Sequence, residues 1–160
     1  MKDDNETLLD FVERFAQLLA DAGLQKMTAR VFAYILADDA TSYTAAELAH
    51  GLSVSRAAIS GAVRELNTMG LIAKTRRSDT RSDVYNIDSG DVWGRIMFAR
   101  VPLVRRYREV AEAGAAELPA GPGSERLRQT AEFMAFMETE MSAMQRKWER
   151  HLEEQERQGR

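Results

Sequence analysis

The chain contains no cysteine, and only two histidines and three prolines among its 160 residues. The lack of cysteine rules out disulfides, thiol redox sensing and cysteine zinc sites, and it fits a reducing cytoplasm. The two histidines, His50 and His151, lie far apart, and neither belongs to a close His/Asp/Glu set, so both read as solvated surface residues rather than metal ligands or catalysts. There is no phosphate-cradling glycine loop and no Gly-x-Ser-x-Gly elbow; Gly121-Pro122-Gly123 reads as a turn. No apolar run reaches the ~18 residues of a membrane span, and the opening MKDDNETLLD lacks the basic segment of a signal peptide. The expectation is a soluble, cytoplasmic, non-enzymatic single domain with no cofactor and no membrane partner.

Against these absences, the stretch from Thr44 to Ile87 is dense with signals. Thr44-Ala45-Ala46-Glu47 is a capping box that opens a short helix carrying Leu48, Ala49 and Leu52 on one face. A tight turn at Ser53-Val54-Ser55 leads to a second helix from Arg56 to Met69, capped by Ser55 and stopped by Gly70. Ile59, Val63 and Leu66 form its buried stripe, which leaves Arg56, Ala57, Ser60, Gly61 and Arg64 outward. Mixed charges would be ordinary on a merely solvated face. Here small residues permit close approach to a groove, and two arginines can reach phosphates or guanine edges. Leu71-Ile72-Ala73 and Val84-Tyr85-Asn86-Ile87 are then β-compatible, separated by the polar segment Lys74 to Asp83. The pattern is mainly α with a small β-wing, a winged helix-turn-helix, the kind of module that docks on duplex DNA.

Charge supports the same expectation. Between Ser53 and Ser82 six basic residues (Arg56, Arg64, Lys74, Arg76, Arg77, Arg81) face two acidic ones, a local net charge of +4 in a chain of −3 overall. The segment up to Gly23 instead holds two basic and six acidic residues. Positive charge is thus concentrated where the motif would meet a polyanion. The alternative is a winged-helix dimer that scaffolds other proteins and binds neither DNA nor an effector.

The flanks are helical. Leu8, Phe11, Val12, Phe15, Leu18 and Leu19 repeat at three- and four-residue steps in a helix ending at Gly23; a second, near Lys26 to Asp38, buries Val31, Phe32, Ile35 and Leu36. Beyond the wing, Asp88 or Ser89 caps a helix with Val92, Trp93, Ile96 and Met97, and Pro102 forces a fresh start near Val101. After the breaker Leu118 to Gly123, Ser124 caps a long helix in which Leu127, Thr130, Met134, Met137, Met141, Met144 and Trp148 form a heptad-like seam. Such a helix to about Gln155 is roughly 48 Å long, more than one small core can cover, so its stripe is expected to bury against a second subunit. Leu8, Phe11, Phe15, Met134, Met137, Met141, Met144 and Trp148 are the expected dimerisation residues. The lobes expected are a DNA-binding lobe at 24–88 and a helical dimerisation lobe from 1–23 and 89–160.

The run ELAHGLSVSRAAISGAVRELNTMGLI, followed by Ser78-Asp79-Thr80-Arg81, resembles the MarR family of bacterial transcription regulators, more narrowly its GbsR-like branch. The resemblance implies a homodimeric regulator, a repressor in the expected case, that binds a pseudo-palindromic operator and is modulated by a small-molecule effector. It implies a wing Asp-x-Arg, matched by Asp79 and Arg81, whose arginine enters the minor groove. The DNA-binding set is then Ser55, Arg56, Ala57, Ser60, Gly61, Arg64, Arg76, Arg77, Asp79 and Arg81. The sequence departs from many relatives at Gly61, where a longer, often basic side chain is common. Effector pockets of such proteins lie between the two lobes, which points to Trp93, Met97, Phe98 and Phe11. An aromatic or apolar molecule would suit them, and a tryptophan can also hold a quaternary ammonium.

Overall fold

A computed structural model describes residues 4–76, 82–87 and 90–159. The chain forms two compact units, Met1–Val92 and Trp93–Arg160.

The first unit runs α1 (Asp4–Asp21), α2 (Lys26–Ala37), β1 (Tyr43–Thr44), α3 (Ala45–Gly51), α4 (Arg56–Thr68), β2 (Ala73–Arg76) and β3 (Asp83–Asn86). Its core follows the apolar periodicity of the sequence: Val12, Val31, Phe32, Leu48, Ile59, Val63 and Leu66 are all buried, as the amphipathic pattern requires. On α2, Leu36 is only half-buried; on α1, Leu8, Phe11, Phe15 and Leu19 are half-buried and Leu18 is exposed, because only the stripe of Val12 and Ala16 is fully covered. A charged pair, Arg30 Nε to Glu13 Oε1 at 2.7 Å, fastens the two helices at their edge.

The sheet is antiparallel in the order β1-β3-β2, with Tyr43 opposite Tyr85 and Arg76 opposite Asp83. Leu71 and Ile72, expected in the first wing strand, precede it. The Leu71 N–H bonds back to the Leu66 carbonyl at 2.9 Å, while Gly70, at φ +71°, donates to Asn67. This closure ties both residues to the end of α4 as a buried lead-in, so pairing starts at Ala73.

The second unit holds α5 (Val92–Phe98), α6 (Val101–Glu117) and α7 (Pro122–Gln158). Pro102 lies in the first turn of α6, where its missing N–H costs nothing, and the expected break falls at Ala99-Arg100. The 37 residues of α7 pack antiparallel on α6. Gly114 approaches Leu127 closely, and Glu138 accepts from Arg105 Nε at 2.6 Å and from Arg108 Nε at 3.1 Å. Ser124 is not the residue that precedes this helix. Pro122, preset for a first helical turn, starts it two residues earlier, and the buried Ser124 hydroxyl both accepts from the Gly121 N–H and donates to the Gly121 carbonyl. The seam is also divided. Ala131 and Met141 are buried within the chain, whereas Phe133, Phe136 and Met144 remain exposed.

Candidate nucleic-acid interface

The turn between α3 and α4 is built by backbone closure. At the end of α3 the Val54 N–H donates to the Ala49 carbonyl (2.9 Å) and the Ser53 N–H to the His50 carbonyl (3.1 Å), with Ser53 held at φ +53°. That geometry normally selects glycine. The Thr44 box is complete: Glu47 N–H donates to the Thr44 hydroxyl at 3.2 Å, and Thr44 N–H to the Glu47 carboxylate at 2.6 Å. Ser55 caps α4 by accepting from the Ala58 N–H at 3.3 Å. These short-range devices fix where α4 begins.

Its outer face is the one anticipated. Arg56, Ala57, Ser60, Gly61 and Arg64 are all exposed, opposite the buried Ile59, Ala62, Val63 and Leu66. Glu65, the one acid on α4, is drawn inward, where its Oε2 accepts from the buried hydroxyl of Thr28 on α2. Arg76 ends β2 and is exposed. Arg77, Asp79 and Arg81 lie outside the described residues. The base of the wing is locked by Lys74 Nζ to Asp83 Oδ2 at 2.8 Å, and that hydrogen bond raises the ammonium's pKa above its ordinary value.

Two features were invisible in the sequence. β1 is only two residues long, too short for any alternation, yet it attaches the start of α3 to β3. Beside it the Tyr43 hydroxyl donates to Asp38 Oδ2; burial first, and the bonded carboxylate second, push that hydroxyl well above the ordinary phenol range. Tyr34 packs edge-on to Tyr43 at 5.8 Å, and its hydroxyl sits where a side chain at Gly51 would be.

The second unit brings most of the expected effector residues together. Trp93, Met97 and Phe98 of α5 line an apolar pocket of about 220 Å³ with Met144 and Trp148 of α7, two residues read from sequence only as dimer seam. Its walls expose no polar surface. Phe11 belongs to the first unit, where it stacks on Phe15 at 5.4 Å and lines a different cleft with Leu8 and Asp38. Both histidines are exposed, and His151 stacks on Trp148 at 5.4 Å. Among the described residues no helix is long and apolar enough to cross a membrane.

Residues 91–151, which run from just before α5 through most of α7, match the model of the MmpR5-like MarR family of transcriptional regulators. The fold itself, mostly helical with a small three-stranded antiparallel sheet, is consistent with a winged helix-turn-helix. It is similar over 90% of its length, and 99% of the other chain, to a crystal structure of a transcriptional regulator, at 23% identity and a TM-score of 0.77. A weaker likeness, 16% identity and a TM-score of 0.38 over 79% of this chain and 84% of the other, is to the transcriptional regulator BldR from Sulfolobus solfataricus. No curated protein matches the sequence.

Proposed function

We propose that this protein is a cytoplasmic, homodimeric, sequence-specific DNA-binding repressor whose operator affinity a small molecule lowers. The observation that carries the reading is the outer face of α4: its arginines are exposed, its only acid is turned inward onto Thr28, and the Ser55 cap fixes where it begins. In this account α4 enters the major groove. Arg56 and Arg64 reach base edges or phosphates, Ser55, Ala57, Ser60 and Gly61 border them, and Arg76, Arg77, Asp79 and Arg81 serve the wing contacts.

A second copy of the chain is the natural cover for Phe133 and Phe136 on α7 and for Leu103, Tyr107 and Val110 on α6, all exposed in the single chain. Leu8, Phe11, Phe15, Met134, Met137 and Met144 join that interface, while Met141 is already covered within its own chain. Two-fold symmetry then sets the operator: half-sites about one helical turn, ~10 bp, apart. The narrower GbsR-like assignment rests on the run from Glu47 to Ile72 followed by Ser78-Asp79-Thr80-Arg81.

The pocket at Trp93 and Trp148 is the proposed effector site. The lining offers a carboxylate no polar surface, so an uncharged apolar or aromatic molecule fits it best. The ligand acts by favouring a dimer arrangement whose recognition helices no longer match the half-site spacing, and a 10-fold loss of operator affinity needs only about 1.4 kcal/mol of coupling.

A gel shift with DNA from upstream of the organism's own gene tests the reading. It predicts a retarded complex that Arg64→Ala weakens; no retardation at micromolar protein and low salt would leave the scaffold alternative standing.

A further inference from the structure

The exposed middle of α4 contains a glycine for which the folded chain supplies no reason. Gly61 is the sixth of thirteen residues in the helix, its backbone is helical, and a Cβ added there would meet nothing within 4 Å. Glycine is the poorest helix former apart from proline, so in a helix interior it weakens the helix unless its missing side chain is put to use. Two other helical glycines show what such a reason looks like. A Cβ at Gly51 would lie 2.3 Å from the Tyr34 hydroxyl, and one at Gly114 would lie 3.0 Å from Leu127. At Gly61 the space is open, as it also is at Gly123 in the first turn of α7, so nothing within the chain calls for a glycine in the middle of α4.

We infer that Gly61 sets the depth at which α4 seats in the major groove, by letting the helix backbone approach the base edges more closely than any side chain would allow. The inference rests on the DNA-binding reading and deepens it. Gly61 lies one turn from Ala57 and three residues before Arg64, so the bare backbone faces outward beside the arginine proposed to read bases. A methyl group at this point would hold the helix away from the groove floor and lengthen the Arg56 and Arg64 contacts. Hydrogen bonds weaken steeply with such displacement, and contacts to base edges carry the sequence preference. Gly61 is in this sense a specificity-determining residue that works by what it lacks.

Stability and binding should therefore move in opposite directions. Gly61→Ala should raise Tm by about 2–4 °C through better helix propensity. It should also weaken binding at least 10-fold to a duplex selected by the wild-type protein from a random library, and weaken binding much less to an unselected duplex of equal length, which is held mainly by phosphate contacts. Gly61→Ser should behave alike in binding. The measurements are thermal unfolding at one protein concentration and fluorescence anisotropy on both duplexes. If Gly61→Ala binds the selected duplex as tightly as wild type, the role assigned to Gly61 is wrong while the DNA-binding reading stands. If wild type itself shows no preference for any selected duplex, both fall.

Discussion

Thr28, buried in α2, donates its hydroxyl hydrogen to the Glu65 carboxylate of α4, 37 residues away. The bond fastens the recognition helix to the scaffold beneath it and keeps a negative charge off the face proposed to meet DNA. Thr28→Val preserves shape but leaves a half-buried carboxylate without this donor, and should destabilise the fold by about 1–3 kcal/mol. Glu65→Gln, which can still accept from Thr28, should cost less. Denaturant titration of the two variants decides the matter; an equal or larger loss for Glu65→Gln would mean that the charge, not the bond to Thr28, is what stabilises the site.

Ser53 occupies the left-handed position of the turn before α4. A non-glycine residue there carries roughly 1–2 kcal/mol of strain, part of which glycine returns as unfolded-chain entropy. Ser53→Gly is thus expected to be neutral to stabilising by up to about 1 kcal/mol, and Ser53→Val clearly destabilising. A Ser53→Gly protein with a lower Tm than wild type would show that the serine side chain contributes something its backbone geometry does not explain.

Gly51 has the opposite character to Gly61. Added methyl volume would collide with the hydroxyl and ring of the buried Tyr34, and overpacking of this kind typically costs about 1–3 kcal/mol, outweighing the gain in helix propensity. Gly51→Ala should therefore unfold earlier than wild type in urea, and an unchanged midpoint would refute the packing described around Tyr34.

The Tyr43 hydroxyl gives a pH signature. Its pKa is raised in the folded state above the ordinary value of 10.0, chiefly by burial and then by Asp38. The folded chain holds this proton more tightly than the unfolded chain, so the contribution is complete below about pH 10 and is lost as pH rises from there toward the folded pKa. Tyr43→Phe removes the bond and should lower stability at neutral pH, yet flatten the decline above pH 10. Parallel stability curves for the two proteins across that range would argue against a buried, bonded phenol.

Much of the winged helix was legible because its signals are local. Thr44 with Glu47, Ser55 and Gly70 are each read within four residues of the element they bound, and the Ile59, Val63, Leu66 stripe identifies the buried face of α4 directly. What escaped depends on chain-distant partners. β1 exists only through pairing with β3, Thr28 meets Glu65 from another helix, and Trp148 joins Trp93 only once α7 folds back along α6. The start of β2 was misplaced because apolar Leu71 and Ile72 look the same in a strand as in a buried helix terminus. Ser124 serves the cap from inside the helix rather than from before it, because Pro122 can itself open a helix.

The most direct test of the central claim is an anisotropy titration of the full chain on a selected duplex carrying both half-sites and on one carrying a single half-site, repeated between 50 and 200 mM salt. Two chains should bind per full site, the half-site should bind at least 10-fold more weakly, and affinity should fall steeply with salt as arginines give up phosphate contacts. Equal affinity for both duplexes, or binding indifferent to salt, would contradict a symmetric dimer that presents α4 to the major groove.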